Sequence, residues 1–184
     1  ISQNVSVDAK FPFLPRYGIR IVMTRDADKM KFFGYGPKEA YCDKKLSARV
    51  GLYTMKVSEN FEPYIMPQEN SAHYGTEWGI VYSSAGHGLF VTADAPFVFN
   101  AQHYSAEYLT VTDHNHLLVP EERTYIYADY KQSGCGSNSC GPGLDMKYAL
   151  DEKQFKYTVY IKPVFANDTD FFAQSASLRE KESD

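Results

Sequence analysis

The sequence predicts an all-β domain, and three observations lead to that prediction. Aromatic residues make up 15% of the chain, with 15 tyrosines and 12 phenylalanines, and these residue types favour half-buried strands. Apolar and polar residues alternate with a period of two in several segments. Helical signals are short: Ser105 is placed to cap a turn that begins at Ala106, and residues 37–46 could hold another turn after Pro37.

Two segments show the alternation most clearly, and each predicts a strand with one buried face. The first places four side chains on one face: Tyr17, Ile19, Ile21 and Met23. The second alternates polar residues with another four: Phe155, Tyr157, Val159 and Ile161. Weaker runs lie at 49–57, 77–83, 88–92, 96–100 and 124–130. Turn-forming residues separate the runs at 26–28, 34–37, 83–88 and 134–143.

Length and charge exclude several classes of protein. A chain of 184 residues is about one domain long. The net charge of -4, without a cluster of lysines or arginines, argues against a nucleic-acid partner. No apolar run approaches the roughly 20 residues of a membrane helix, so no membrane partner is expected. The N-terminus has no signal-peptide pattern and begins with isoleucine, which suggests a mature form or an excised piece.

The chain divides by composition into two parts. Residues 1–165 carry the alternating pattern and form the predicted β domain. Residues 166–184 are polar, acidic and unpatterned, so we expect a tail that is ordered only if Phe171 and Phe172 dock.

Two short motifs suggest sites but fall short of them. Residues 33–39 contain a Gly-x-Gly, yet Pro37 and the missing third glycine favour a tight turn over a phosphate loop. On a strand, His114 and His116 would share one face and could hold a metal, with Glu121 following. This resembles the first cupin motif without its flanking glycines, and His103 would join only if the fold brings it near.

Carboxylates and cysteines give further candidates. Glu39, Glu62 and Glu69 lie near aromatic residues, as a pair of glycosidase carboxylates would, although solvated or capping carboxylates are the more common case. The loop 133–143 is rich in glycine and contains Cys135 and Cys140. These two thiols could pair, but three cysteines make no disulfide framework, and no histidine base is placed beside either one.

Several blocks in a fixed order resemble one family. They are Leu14-Pro-Arg-Tyr-Gly18, Phe33-Gly-Tyr-Gly-Pro-Lys-Glu-Ala-Tyr-Cys-Asp43, Tyr64-Ile-Met-Pro-Gln-Glu-Asn70, His103-Tyr-Ser105, Leu109 with Thr112-Asp-His-Asn-His-Leu117, and Gly134-Cys-Gly-Ser-Asn-Ser-Cys-Gly-Pro142. Together they resemble the C-terminal domain, or small chain, of bacterial β-galactosidases of the LacZ type in glycoside hydrolase family 2. The resemblance covers roughly residues 11–165.

The resemblance implies an antiparallel β-supersandwich, similar to galactose mutarotases and truncated at its N-terminal strands. It implies a parent enzyme, likewise oligomeric, that hydrolyses terminal β-D-galactosides such as lactose with retention. In that family two glutamates of a central TIM barrel are catalytic, assisted by Mg²⁺ and Na⁺. No barrel motif occurs in this chain, so no residue in it is expected to be catalytic, and the chain is expected to be inactive alone. Its partners would be the remainder of the enzyme and the galactoside.

The resemblance also implies site residues. In the family a tryptophan on a loop of this domain forms part of the sugar-binding rim, and Cys140 takes its position, with Asn138 and Ser139 beside it. A structural Na⁺ in the family is held by main-chain oxygens, whose matching positions are Met66, Pro67, Leu109 and Thr112. A freestanding carbohydrate-binding module is the alternative function for this chain.

Overall fold

The computed structural model describes residues 1–136 and 141–180. Eight strands make up most of this part of the chain: β1 (Ser2–Ser6), β2 (Arg16–Thr24), β3 (Lys29–Gly36), β4 (Arg49–Lys56), β5 (His73–Tyr82), β6 (Gly88–Gln102), β7 (Arg123–Gln132) and β8 (Gln154–Val164). Two helices, α1 (Ala106–Val111) and α2 (Phe171–Glu180), and three single 3-10 turns at Val57–Glu59, Asn115–Leu117 and Met146–Tyr148 complete it. The all-β prediction is confirmed.

Every strand pairing is antiparallel, and strand β6 connects the two halves of the sheet. The main order is β1-β8-β6-β5-β3-β4, with β7 pairing with β6 and β2 pairing with β7. Residues 88–93 of β6 pair with β8, whereas residues 98–102 pair with β7. Between these stretches lie exposed residues, including Asp94 and Pro96. Strand β6 therefore leaves one part of the sheet and joins the other.

One core lies between the two halves of the sheet. It collects inward side chains of β3, β6, β7 and β8, among them Phe32, Val91, Ile126 and Tyr157. The predicted face of β2 packs against this core with Tyr17, Ile19, Ile21 and Met23, as expected. The predicted burial of one face of β8 is confirmed for Tyr157 and Val159, whereas Ile161, nearer the C-terminal end of the strand, is 36% exposed.

Two local predictions about the chain need correction. Residues 34–37 were predicted to form a turn, but β3 runs through Gly36, because residues 34–36 continue the antiparallel pairing with β4. His114 and His116 would share one face on a strand, but Asn115–Leu117 form a 3-10 turn. The short helix after Ser105 is present, and the Ser105 hydroxyl accepts a hydrogen bond from Tyr108 N at 3.3 Å.

A second apolar cluster lies on the opposite face of the sheet, under helix α2. Trp78 and Phe90 alternate along their strands with residues of the main core, so their side chains point the other way. Phe171 at the start of α2 is 8% exposed and lies 5.5 Å from the Trp78 ring centroid. Arg179 near the end of α2 donates to Ala93 O at 2.8 Å. The segment after residue 165 is thus docked at residues 171–180 through its phenylalanines.

The docking of α2 predicts unequal effects for its two phenylalanines. Phe171→Ala should lower the free energy of unfolding by about 2–4 kcal/mol, because it removes a buried ring from the Trp78 cluster. Phe172→Ala should lower it by about 1 kcal/mol or less, since that ring is 48% exposed. Fluorescence of the single tryptophan during urea unfolding measures both values. An effect at Phe172 as large as that at Phe171 would contradict this docking.

Candidate functional site

A cluster of charged side chains lies where strand β2 begins and strand β7 ends, beside the segment 62–71. Arg16 donates from Nη1 to Glu69 Oε2 at 2.7 Å and from Nη2 to Asp129 Oδ2 at 2.5 Å. Gln132 Nε2 donates to the same Asp129 oxygen at 2.8 Å. The Arg16 guanidinium also lies 4.6 Å from the centroid of the Tyr127 ring. Burial raises the pKa values of Glu69 and Asp129 against the lowering effect of Arg16.

The strand register explains how this cluster forms. The pairing of β2 with β7 shifts between Tyr17 and Gly18, so β7 carries one extra residue there. A bulge of this kind redirects side chains along a strand. Gly18 is required next to it, because a Cβ at that position would overlap the Asp129 carboxylate and backbone. Asp129 can therefore reach Arg16 only beside a glycine.

A second carboxylate, Glu39, ties two loops together. Its Oε2 accepts a hydrogen bond from Ser71 N at 2.9 Å, and its Oε1 accepts from Lys44 and from the Tyr64 hydroxyl. Lys44 also donates to the Tyr64 hydroxyl at 2.7 Å. Glu39 is only 8% exposed. Of the two common cases expected, solvated or capping, Glu39 is thus a buried carboxylate that accepts from a backbone amide.

Asp43 anchors the base of the glycine-rich loop. Its carboxylate accepts hydrogen bonds from Cys135 N at 3.1 Å and from Gly136 N at 2.8 Å. A Cβ at Gly134 would lie 2.5 Å from the Asp43 carboxyl carbon, so only glycine permits this approach. The loop therefore leaves strand β7 in a fixed direction. The predicted rim residues Asn138, Ser139 and Cys140 lie outside the described residues.

A cleft of about 300 Å³ lies against this loop base. We call it the loop-base cleft, and ten residues line it: Phe13, Pro15, Arg16, Tyr41, Glu69, Gln132, Ser133, Gly134, Cys135 and Leu144. A larger cleft of about 510 Å³ adjoins it through Gln132 and includes Tyr74, Tyr130 and Tyr148. Three buried polar atoms of the loop-base cleft, on Tyr41, Glu69 and Gln132, lack a hydrogen-bond partner within the described part of the chain.

The two described cysteines, Cys42 and Cys135, are not activated for nucleophilic attack. Cys42 and Cys135 are free thiols. Burial around the Cys135 sulfur, followed by the neighbouring Asp43 carboxylate, raises the pKa of this thiol to about 12. A nucleophilic cysteine needs a lowered pKa. Glu62 is likewise occupied, because it pairs with Lys38 at 2.8 Å.

The histidines considered as metal ligands, His114 and His116, form no metal-holding group with Glu121 within the described residues. His114 and His116 are exposed, with ring centroids 5.5 Å apart. Glu121 accepts hydrogen bonds from Ser105 N at 2.6 Å and from the Tyr125 hydroxyl at 2.9 Å. His103 is buried and contacts Asp28 at 2.9 Å. Over residues 1–136 and 141–180, no three His, Cys, Asp or Glu residues are grouped to hold a metal.

The four residues matched to a main-chain cation site lie on two segments in contact. Met66 is 67% exposed and Pro67 is buried, and both follow Ile65. Leu109 and Thr112 lie in and just after α1, and both are buried. Asn115 N donates to Ile65 O at 2.9 Å, which joins the two segments.

Sequence reasoning did not single out Arg16, Asp43, Asp129 or Gln132 as site residues. Arg16 and Asp43 belong to the quoted blocks, but their pairing partners are distant along the chain. Asp129 and Gln132 lie in a strand whose alternation indicates only burial. The bulge and the two glycines that admit the carboxylates carry no separate signal in the sequence.

Asp43→Asn should loosen the loop base. One of the two charge-assisted hydrogen bonds is lost and the other is weakened, so the Cys135 and Gly136 amides should exchange with solvent at least about tenfold faster. Hydrogen exchange followed by NMR measures this directly. Asp145→Asn is the matched control, because Asp145 caps the exposed Met146–Tyr148 turn and should leave those two amides unchanged. Equal protection in Asp43→Asn and the unsubstituted chain would contradict the anchoring role.

The described helices include none that is long and apolar enough to cross a membrane.

Comparison with known proteins identifies the family to which this chain belongs. The model for the β-galactosidase small chain matches residues 1–161. A β-galactosidase of Staphylococcus xylosus is 36% identical over 162 residues, which cover 88% of this chain and 16% of that enzyme. A β-galactosidase of Actinobacillus pleuropneumoniae is 40% identical over 153 residues, which cover 83% of this chain and 15% of that enzyme. The chain thus spans about one-sixth of these curated relatives, and it belongs to the β-galactosidase small-chain family.

Proposed function

We propose that this chain forms a non-catalytic wall of a β-galactosidase and presents the loop 133–143 to the rim of the active site. The observation that carries the proposal is the anchored loop base, where Asp43 binds the amides of Cys135 and Gly136. A loop held in one direction by a rigid scaffold is suited to contact a ligand. The family match supports the same assignment, since the matched model describes a small chain.

The parent activity we propose is retaining hydrolysis of terminal β-D-galactosides such as lactose. Such a reaction needs two carboxyl groups about 5–5.5 Å apart. The candidates Glu39, Glu62 and Glu69 are each engaged by a lysine or arginine of this chain. We therefore assign both catalytic carboxylates, and the Mg²⁺ of the parent enzyme, to the remainder of the protein. An oligomeric parent belongs to the same proposal.

Complementation tests this function. The chain alone and the remainder of its enzyme alone should each fail to hydrolyse o-nitrophenyl β-D-galactoside, and the two together should restore hydrolysis. Cys140→Trp should then lower the KM for lactose about 3- to 10-fold, because an aromatic platform is added at the rim. Cys140→Ser, which adds no ring, is the matched control and should leave KM unchanged.

Two results would contradict the proposal. The first is galactoside hydrolysis by the chain alone. The second is sub-millimolar binding of lactose to the chain alone, which would favour a freestanding carbohydrate-binding module. The larger cleft, with Tyr74, Tyr130 and Tyr148, is the surface that such a module would use.

We further propose a Na⁺ site on the main-chain oxygens of Met66, Pro67, Leu109 and Thr112. The end of a helix leaves carbonyl groups without intrahelical partners, and α1 ends at Val111. The hydrogen bond between Asn115 and Ile65 supports the proposal, because it joins the second segment to the first. Carbonyl oxygens suit a hard cation.

Carbonyl carbon chemical shifts test this cation site without a substitution. Replacing choline chloride with NaCl at equal ionic strength should shift the four named carbonyl carbons in a saturable way. The midpoint of thermal unfolding should rise as well, since a ligand of the folded state stabilises it. Identical carbonyl shifts in the two salts would rule the site out.

A further inference from the structure

We propose that the loop-base cleft is a docking pocket for the ammonium or guanidinium group of a lysine or arginine in the remainder of the β-galactosidase. The inference rests on the proposed function for the identity of the partner. The pocket itself is argued from the side chains of this chain alone.

Three buried oxygen atoms in the cleft have unused hydrogen-bonding capacity. In the described part of the chain, the Tyr41 hydroxyl, Glu69 Oε1 and Gln132 Oε1 have no hydrogen-bond partner. Tyr41 is only 3% exposed and Gln132 only 9% exposed. Buried polar atoms in native proteins are almost always paired. Three such atoms lining one cleft indicate a missing group rather than three independent exceptions.

The chemistry of these atoms defines the missing group. A carboxylate oxygen and an amide oxygen only accept hydrogen bonds, and a phenolic hydroxyl can accept one as well. The occupant must therefore supply several N–H or O–H donors at once. A phosphate or carboxylate would place acceptors against acceptors and is excluded. An ammonium group has three donors and a guanidinium group has five.

The charge of the cleft favours a cation over a neutral donor. Arg16 contacts two carboxylates, those of Glu69 and Asp129, so the cluster keeps one unbalanced negative charge when all three groups are ionised. Among the described residues that line the cleft, Arg16 is the one cationic side chain. A neutral sugar or amide would satisfy the hydrogen bonds and leave this charge uncompensated.

The walls fit a long side chain with a charged end. Phe13, Pro15 and Leu144 supply an apolar lining, against which the alkyl stem of lysine or arginine can pack while its charged end meets the acceptors. The volume of about 300 Å³ is at the lower end of the range for ligand pockets. The Glu69 side chain as a whole is 33% exposed, although its Oε1 is buried, so the carboxylate lies at the boundary between the cleft and solvent.

The position of the cleft identifies the source of the cation. Its lining includes Ser133, Gly134 and Cys135, which form the base of the loop assigned to the active-site rim. The matched relatives are about six times longer than this chain, so most of the enzyme lies outside it. A pocket at the loop base would fix this wall against that remainder.

Small cations test the pocket on the chain alone by NMR titration. n-Butylguanidinium and n-butylammonium should each give saturable shifts of the amide signals of Tyr41, Glu69 and Ser133. n-Butylurea has nearly the shape of n-butylguanidinium but no charge, and should bind at least about tenfold more weakly. Equal or tighter binding of the urea would overturn the inference in favour of a neutral ligand. Absence of a saturable shift below about 0.1 M cation would overturn it as well.

Substitutions locate the binding. Tyr41→Phe keeps the ring and removes only the hydroxyl, and should weaken n-butylguanidinium binding about 3- to 10-fold. Glu69→Gln should weaken n-butylguanidinium binding at least about tenfold. If Glu69→Gln fails to fold, Tyr41→Phe alone tests the location of the binding site. Glu62→Gln is the matched control at the ion pair with Lys38, outside the cleft, and should bind as the unsubstituted chain does. Binding unaffected by Tyr41→Phe would place the cation elsewhere and overturn the assignment.

The two proposals can fail separately. Cation binding without complementation of galactosidase activity would overturn the proposed function and leave the pocket intact. Complementation without cation binding would overturn the pocket alone.

Discussion

The Arg16 ion-pair cluster is the interaction on which the loop end of this molecule depends. One guanidinium joins strand β2, strand β7 and the segment that carries Glu69. Removing Arg16 would leave the buried Asp129 carboxylate without its compensating charge. The position of Glu69 beside the loop-base cleft follows from this arrangement, and Asp43 fixes the direction of the loop base.

The same electrostatics support the proposed role of the chain as a non-catalytic wall. Catalytic carboxylates need a pair of groups whose pKa values are held apart by their surroundings. In this chain Glu39 and Glu69 are used to join loops to strands, and Glu62 pairs with Lys38 at the surface. Cys135 has a thiol with a raised pKa. These groups give structure to the loop end, and the proposed chemistry lies in the rest of the enzyme.

Helix α2 shows how a second surface of the sheet is covered. The matched family model ends at residue 161, ten residues before this helix begins. The face formed by Trp78 and Phe90 is covered by a segment beyond the family match. Phe171 packs against the rings of Trp78 and Phe90, and Arg179 donates a hydrogen bond to a backbone carbonyl of the sheet.

The sequence by itself determined the β class, the faces of β2 and β8, the cap at Ser105 and the family, because alternation and motif spacing are local properties of a chain. It did not predict β3 and placed a turn at 34–37, where this strand runs through Gly36, because the pairing of β3 with β4 and β5 joins separate segments of the chain. Only the tertiary structure decided that Arg16 meets Asp129 across 113 residues of sequence. That pairing depends on a one-residue bulge and on a glycine without a side chain, and neither leaves a periodic signal.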